Sequence, residues 1–204
     1  MDHAEQIKGA DFQKAEAYIF ERLQKELSPT LSYHGYHHTE DVMNAAMKIA
    51  EAEKISEANK KLLRVAVAFH DAGFIYTYQD HEEKGCRMVE ECLPSFGFSA
   101  EQIQLICGMI RATKIPQRPT SHLEEIIADA DLDYLGRDDV FPIARTLFEE
   151  LKIYANLRDE ETWNKIQVNF LSSHHYHTAT SKSSRAQAKE EYLQKLRSGL
   201  EFEV

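Results

Sequence analysis

Apolar residues recur at three- and four-residue spacing in one segment after another from Phe12 to Leu196, a period that suits helices and not strands. Asp11 stands ready to cap a helix whose face carries Phe12, Ala15, Ile19, Phe20, Leu23 and Leu27, closed by Pro29. Thr39 is the expected cap of a second helix through Val42, Ala46 and Ile49, and Ser56 opens a third through Leu62, Val65, Ala66 and Phe69, broken at Gly73. Asp80 with Glu83, Ser99 with Gln102 and Ser121 with Glu124 each have capping-box spacing ahead of an apolar stripe. Pro142 suits the first turn of a helix bearing Ile143, Leu147 and Leu151, and Trp163, Ile166, Phe170 and Leu171 mark the next. A charged helix over 183–200 turns Ala188, Tyr192 and Leu196 inward. Phe74 to Tyr78 is rich in strand-forming residues but has no partner run, so it is expected as an ordered loop. These segments predict an all-α, single-domain helical bundle over 1–204, with about eight or nine helices.

The chain holds 34 Asp and Glu against 24 Lys and Arg, a net charge of −10. That balance argues against a dedicated nucleic-acid or anionic-membrane binder, while leaving room for a local basic pocket. Cys86, Cys92 and Cys107 are odd in number and lack metal-site spacing, so reduced thiols in the cytoplasm are the expected state. The N-terminal MDHAEQIKGADF lacks the pattern of a secretory leader, and no run is long and apolar enough for a membrane span. A cytoplasmic protein is expected.

The helix Val65-Ala66-Val67-Ala68-Phe69 runs directly into His70-Asp71. A His-Asp pair at the end of a buried helix is costly unless both groups find partners. Two readings satisfy it. A divalent cation would take the neutral imidazole and the carboxylate together; alternatively His70 bonds a carbonyl and Asp71 caps the next turn. Upstream lies Tyr33-His34-Gly35-Tyr36-His37-His38-Thr39, and downstream Ala128-Asp129-Ala130-Asp131-Leu132-Asp133-Tyr134-Leu135-Gly136.

Read in order, His38, His70-Asp71 and an Asp of the last segment give H…HD…D, and from Tyr33 through Thr178 the chain resembles the HD superfamily of metal-dependent phosphohydrolases. The resemblance implies a bundle of the HD-domain type, with a core over about 33–178 and the terminal helix packed on it. It implies one divalent metal held by His38, His70, Asp71 and Asp131. Asp129 lies about 200° around a helix from Asp131, so only one of the two can face the site; the resemblance favours Asp131. Asp71 is also expected to orient the attacking water. Glu82 falls where related sequences carry a catalytic carboxylate, although a glutamate in the first turn of a helix is equally explained by the dipole. His34 is expected to face the substrate. Lys114 and Arg118, on one proline-stiffened loop, are candidates to neutralise phosphate oxygens, as are Lys84 and Arg111. His81 and His122 are the candidates for a second metal; one metal is expected. His174, His175 and His177 read as a polar rim, with His177 the one pocket candidate.

Two imidazoles and two carboxylates suit Mn, Fe, Ni or Zn, with Mg less natural for imidazole. The expected activity is hydrolysis of a small phosphate ester, a nucleotide first, by metal-activated water. The expected partner is therefore a small phosphorylated substrate, with homodimerisation open. Two rival readings are a non-catalytic nucleotide-binding or sensor module and an HD-type diiron oxygenase.

Overall fold

The computed structural model describes residues 9–201. Within them lie α1 (Phe12–Glu26), α2 (Tyr36–Ala52), α3 (Glu57–Phe69), α4 (His81–Cys92), α5 (Ala100–Ala112), α6 (His122–Asp131), α7 (Val140–Tyr154), α8 (Glu160–Ser173) and α9 (Ala179–Glu201), with 3-10 turns at Ala72–Ile75, Leu93–Phe96 and Asp133–Gly136. Among the described residues there is no strand. Phe74 to Tyr78 begins as part of the first 3-10 turn and continues as a loop.

Several helix starts are set locally. The side chains of Asp11 and Ser56 accept the amides of Lys14 and Asn59, and Ser99 with Gln102 forms a complete capping box. Other starts are set by tertiary contacts. α2 begins at Tyr36 behind Gly35, so Thr39 is a buried residue inside the helix and not its cap. Asp80 adopts a left-handed φ of 52° and offers its carboxylate to Lys114 (2.7 Å) instead of capping α4. Ser121 caps α6, but Glu124 turns away from the box to accept from Thr120 N and Oγ1. α9 begins at Ala179, four residues ahead of the expected start.

α1 to α6 surround the main core, where Leu63, Phe69, Ile106, Ile110, Ile126 and Ile127 are fully enclosed. Burial of each such side chain contributes roughly 1.5–3 kcal/mol. α3 ends at Phe69, before Gly73, and Asp71 takes φ −104°, ψ 5°. Gly73 serves a different purpose from stopping the helix. A Cβ there would lie 1.9 Å from the His81 carbonyl oxygen, so glycine lets the start of α4 press against the turn after His70-Asp71. Gly136 does the same for α9, since its Cβ would meet the Arg185 carbonyl oxygen at 2.4 Å.

α7, α8 and α9 form smaller apolar clusters around Leu135, Leu171, Tyr192 and Leu193 and around Phe148 and Trp163. They are fastened to the main core by polar ties. Asp129, fully buried on α6, accepts from His177 N (2.8 Å), Thr178 N (2.8 Å) and Thr178 Oγ1 (2.7 Å). The Thr178 oxygen in turn accepts the Ser181 amide in the first turn of α9.

Candidate metal centre

The ends of three helices converge. His38 sits in the first turn of α2, His70 caps the C-terminus of α3 with Asp71 next to it, and Asp131 is the last residue of α6. One ligand atom each from His38, His70 and Asp71, all buried, lie within 4.8 Å of one another. Asp131 Oδ1 stands 3.1 Å from His38 Nε2 and 3.6 Å from His70 Nε2. Asp71 Oδ2 stands 3.3 Å from His70 Nε2 and 3.5 Å from His38 Nε2. Asp129, the other candidate, faces away into the amides of 177 and 178.

Both readings of the His70-Asp71 pair can now be weighed on their atoms. His70 Nδ1 lies 2.7 Å from the Val67 carbonyl and donates to it, which leaves the Nε2 lone pair aimed into the cluster. His70 Nε2 and Asp71 Oδ2 are both buried and neither has a hydrogen-bond partner, while Asp71 makes no capping bond to the turn it precedes. With both atoms in lone-pair form, 3.3 Å apart, the pair is destabilising unless a proton or a metal cation lies between them. The donor set of two imidazoles and two carboxylates therefore fits a divalent ion.

The electrostatics agree. Burial opposes a charged His70 imidazole, but the negative charges of Asp71 and Asp131 beside it outweigh that and raise its pKa well above the usual histidine range. Burial likewise opposes the Asp71 and Asp131 carboxylates, yet the histidines win, holding Asp71 well below its ordinary value and Asp131 at about 2. The field inside the cluster favours positive charge.

A cavity of about 740 Å³ opens beside this cluster. Its polar wall carries Asp71, Asp131, His34, His81, Glu82 and Lys114. His34 Nδ1 is 2.5 Å from Glu150 Oε1, and the same carboxylate accepts from Tyr33 N (2.8 Å), His34 N (3.0 Å) and Tyr78 OH (3.0 Å). Glu150 is fully buried; burial pushes its pKa up, but the bonds from His34 and the two amides bring it below the ordinary glutamate value. His81 stacks on Phe74 at 3.9 Å and reaches Asp71 Oδ1 (3.4 Å) and Glu82 Oε1 (3.6 Å). Lys114 lies on the wall but is paired with Asp80 and stands 4.0 Å from Glu82.

The HD domain family model matches residues 35–133, a segment that contains His38, His70, Asp71 and Asp131. Residues 35–133 thus carry the likeness to an HD domain. In fold the whole chain is also similar to the crystal structure of a predicted HD superfamily hydrolase from an uncultured Thermotogales bacterium. The two share 22% identity with a TM-score of 0.59, covering 100% of this chain and 99% of that one. No curated protein matches the chain.

Other residues singled out in the sequence lie elsewhere. Arg118 is exposed and off the cavity wall. Lys84 lies over the Tyr76 ring at 4.4 Å, and Arg111 pairs with Glu83 at 2.7 Å. His122 faces Glu125 (3.0 Å) and Glu53 (3.4 Å), away from the HD domain's cluster. His177 is not a pocket residue; its backbone bonds Asp129. Nor is His174 a polar rim residue, since both its ring nitrogens are buried without partners. Sequence reading passed over Glu150, although a signal existed: it lies three residues after Leu147 and beside Leu151, inside the apolar stripe of its helix. A carboxylate at such a place is buried only with partners.

Among the described residues, no helix is long and apolar enough to cross a membrane.

Proposed function

We propose that the chain is a metal-dependent phosphohydrolase that cleaves a small phosphate ester. The single observation that carries this reading is the pair of buried, partnerless atoms His70 Nε2 and Asp71 Oδ2, set 3.3 Å apart beside an open cavity. The HD domain and the fold of a predicted hydrolase support it. His38, His70, Asp71 and Asp131 would hold one divalent ion. When bound, such an ion polarises a phosphoryl oxygen and brings the pKa of water from 15.7 towards about 7.

The chain's own residues then have separate tasks. Val67 fixes the His70 tautomer through Nδ1. Asp71, with Oδ2 toward the two imidazoles and Oδ1 toward His81, orients the attacking water. Glu82, buried at the wall, takes up a proton of that water as its oxygen joins phosphorus and the ester oxygen leaves. His34, held by Glu150, and Lys114 face the phosphoryl oxygens.

Purified protein supplied with Mn²⁺ or Ni²⁺ is expected to hydrolyse members of a phosphomonoester panel in which nucleotides serve as reference substrates. His70→Ala and Asp71→Ala abolish turnover; activity surviving Asp71→Ala overturns the mechanism. One observation favours a second reading, a diiron oxygenase: His81 Nε2 lies 3.4 Å from Asp71 Oδ1, the carboxylate oxygen turned away from the two imidazoles. Two irons per chain by elemental analysis, without phosphoester turnover, would decide for it.

A further inference from the structure

The cavity beside the metal centre has two unlike walls. One is the polar wall already described, formed by the ends of α2, α3 and α6 and the start of α4. The other is built by α7, α8, α9 and the Asp133–Gly136 turn, and its surface is mostly Leu135, Leu147, Leu151, Trp163, Phe170 and Leu171, with Tyr134 and Tyr192 beside them. The one amide on it, Gln167, is engaged at both ends: Nε2 donates to Asn164 Oδ1 (3.2 Å), and Oε1 accepts from Tyr192 OH (2.5 Å). The lining reaches solvent through Ile115 and Ile166, which are 50% and 44% exposed and belong to the few large hydrophobics left in water.

Size separates the two walls' tasks. At about 30 Å³ for each water-sized group, 740 Å³ holds roughly 25 of them. A phosphoryl group and the water that attacks it occupy a small part of that. Most of the remaining space faces aliphatic and aromatic carbon, which contributes affinity chiefly for an apolar occupant. A nucleobase set against Leu147, Leu151 and Phe170 would leave its donors and acceptors unpaired, which is costly.

We infer that the substrate is the phosphate monoester of an apolar, aliphatic-chain alcohol. The phosphate sits at the metal centre, and the chain lies along the α7–α8–α9 wall and leaves between Ile115 and Ile166. This inference rests on the phosphohydrolase reading and names its substrate class. Water attacks phosphorus, the ester P–O bond breaks, and inorganic phosphate and the protonated alcohol are released.

The test is a chain-length series read in two independent ways. Titration calorimetry of the Mn²⁺-supplied protein with methyl, butyl, hexyl and octyl phosphonate, which have no ester bond to cleave, is expected to show Kd falling about fourfold for each methylene that enters the cavity. For the corresponding alkyl phosphates, kcat/KM is expected to rise with the same slope, above that of nucleoside monophosphates. Ile166→Asp, at the solvent-exposed rim where folding is least at risk, and Leu151→Gln are expected to flatten that slope. A merely structural defect would lower every member of the series equally. Turnover with no dependence on chain length, or a preference for nucleoside monophosphates, overturns the inference and leaves the phosphohydrolase reading intact. Length-dependent phosphonate binding without turnover of any ester overturns the phosphohydrolase reading, and with it the assignment of a substrate.

Discussion

Between α2, α3 and α6 the side chains of Leu63, Ala66, Phe69, Ile126 and Ile127 are closed off from solvent, whereas along α7 and α8 Leu147, Leu151 and Ile166 keep part of their surface on a cavity. Both regions are helical. The first is packed densely enough that the ends of its helices, and the ligand atoms on them, have one place to be. The second leaves its apolar surface unfilled, which suits a region that receives a molecule from outside.

The sharpest way to break this contrast is to remove a ligand from the packed side. With Mn²⁺ at 100 times its dissociation constant, the wild-type protein should gain about 2.7 kcal/mol of stability. His70→Ala should gain none, and calorimetry should find its metal affinity reduced by more than the roughly 10–100-fold that changes behind the ligands cause.

A second test is a matched pair of truncations. Leu63→Ala removes an enclosed side chain of the main core and is expected to cost about 4 kcal/mol in urea unfolding. Leu151→Ala removes one that already borders open space and should cost about 1 kcal/mol. Equal losses would erase the distinction between the two regions.

A third comparison divides two aspartates that sit two residues apart. Asp129→Ala deprives the Thr178 hydroxyl and the amides of 177 and 178 of their acceptor, and is expected to cost about 3 kcal/mol while metal affinity is kept. Asp131→Ala should do the reverse, keeping the Thr178 anchor on Asp129 while lowering metal affinity.

The smallest effect concerns pH. Burial first, and the charge of Lys189 second, depress the His174 pKa to about 3. An unfolded histidine takes up its proton near pH 6.5. Its neutral form therefore contributes fully above pH 6.5, and that contribution fades as pH falls from 6.5 towards 3. By pH 5 the loss is about 2 kcal/mol at most. His174→Phe should remove this part of the acid sensitivity, seen as a shallower fall in the unfolding midpoint between pH 7.5 and 5.

Where structure is decided within one turn of chain, the sequence is a good guide. Asp11, Ser56 and Ser99 cap as expected, and the stripes through Leu23, Ile49 and Ile110 are core. The resemblance carried by His38, His70-Asp71 and Asp131 likewise picks out side chains that the fold brings close to one another. The reading slips where a distant group competes. Asp80 leaves its helix for Lys114, and α2 starts three residues before Thr39 while the loop ahead of it is held by Glu150. The cavity itself is invisible along the chain, since its walls come from segments about a hundred residues apart whose spacing is a product of packing.

Glu150 bears on how this molecule is divided. It lies on α7, outside the HD domain at 35–133, yet it holds the backbone of residues 33 and 34 and the imidazole of His34. Asp129, inside that domain, is in turn grasped by the backbone of residues 177 and 178. The two segments are laced in both directions, so the working unit is longer than the motif. A fragment ending at Gly136 would carry the four candidate ligand residues but neither the hand that steadies His34 nor the one that anchors the helix of Asp131.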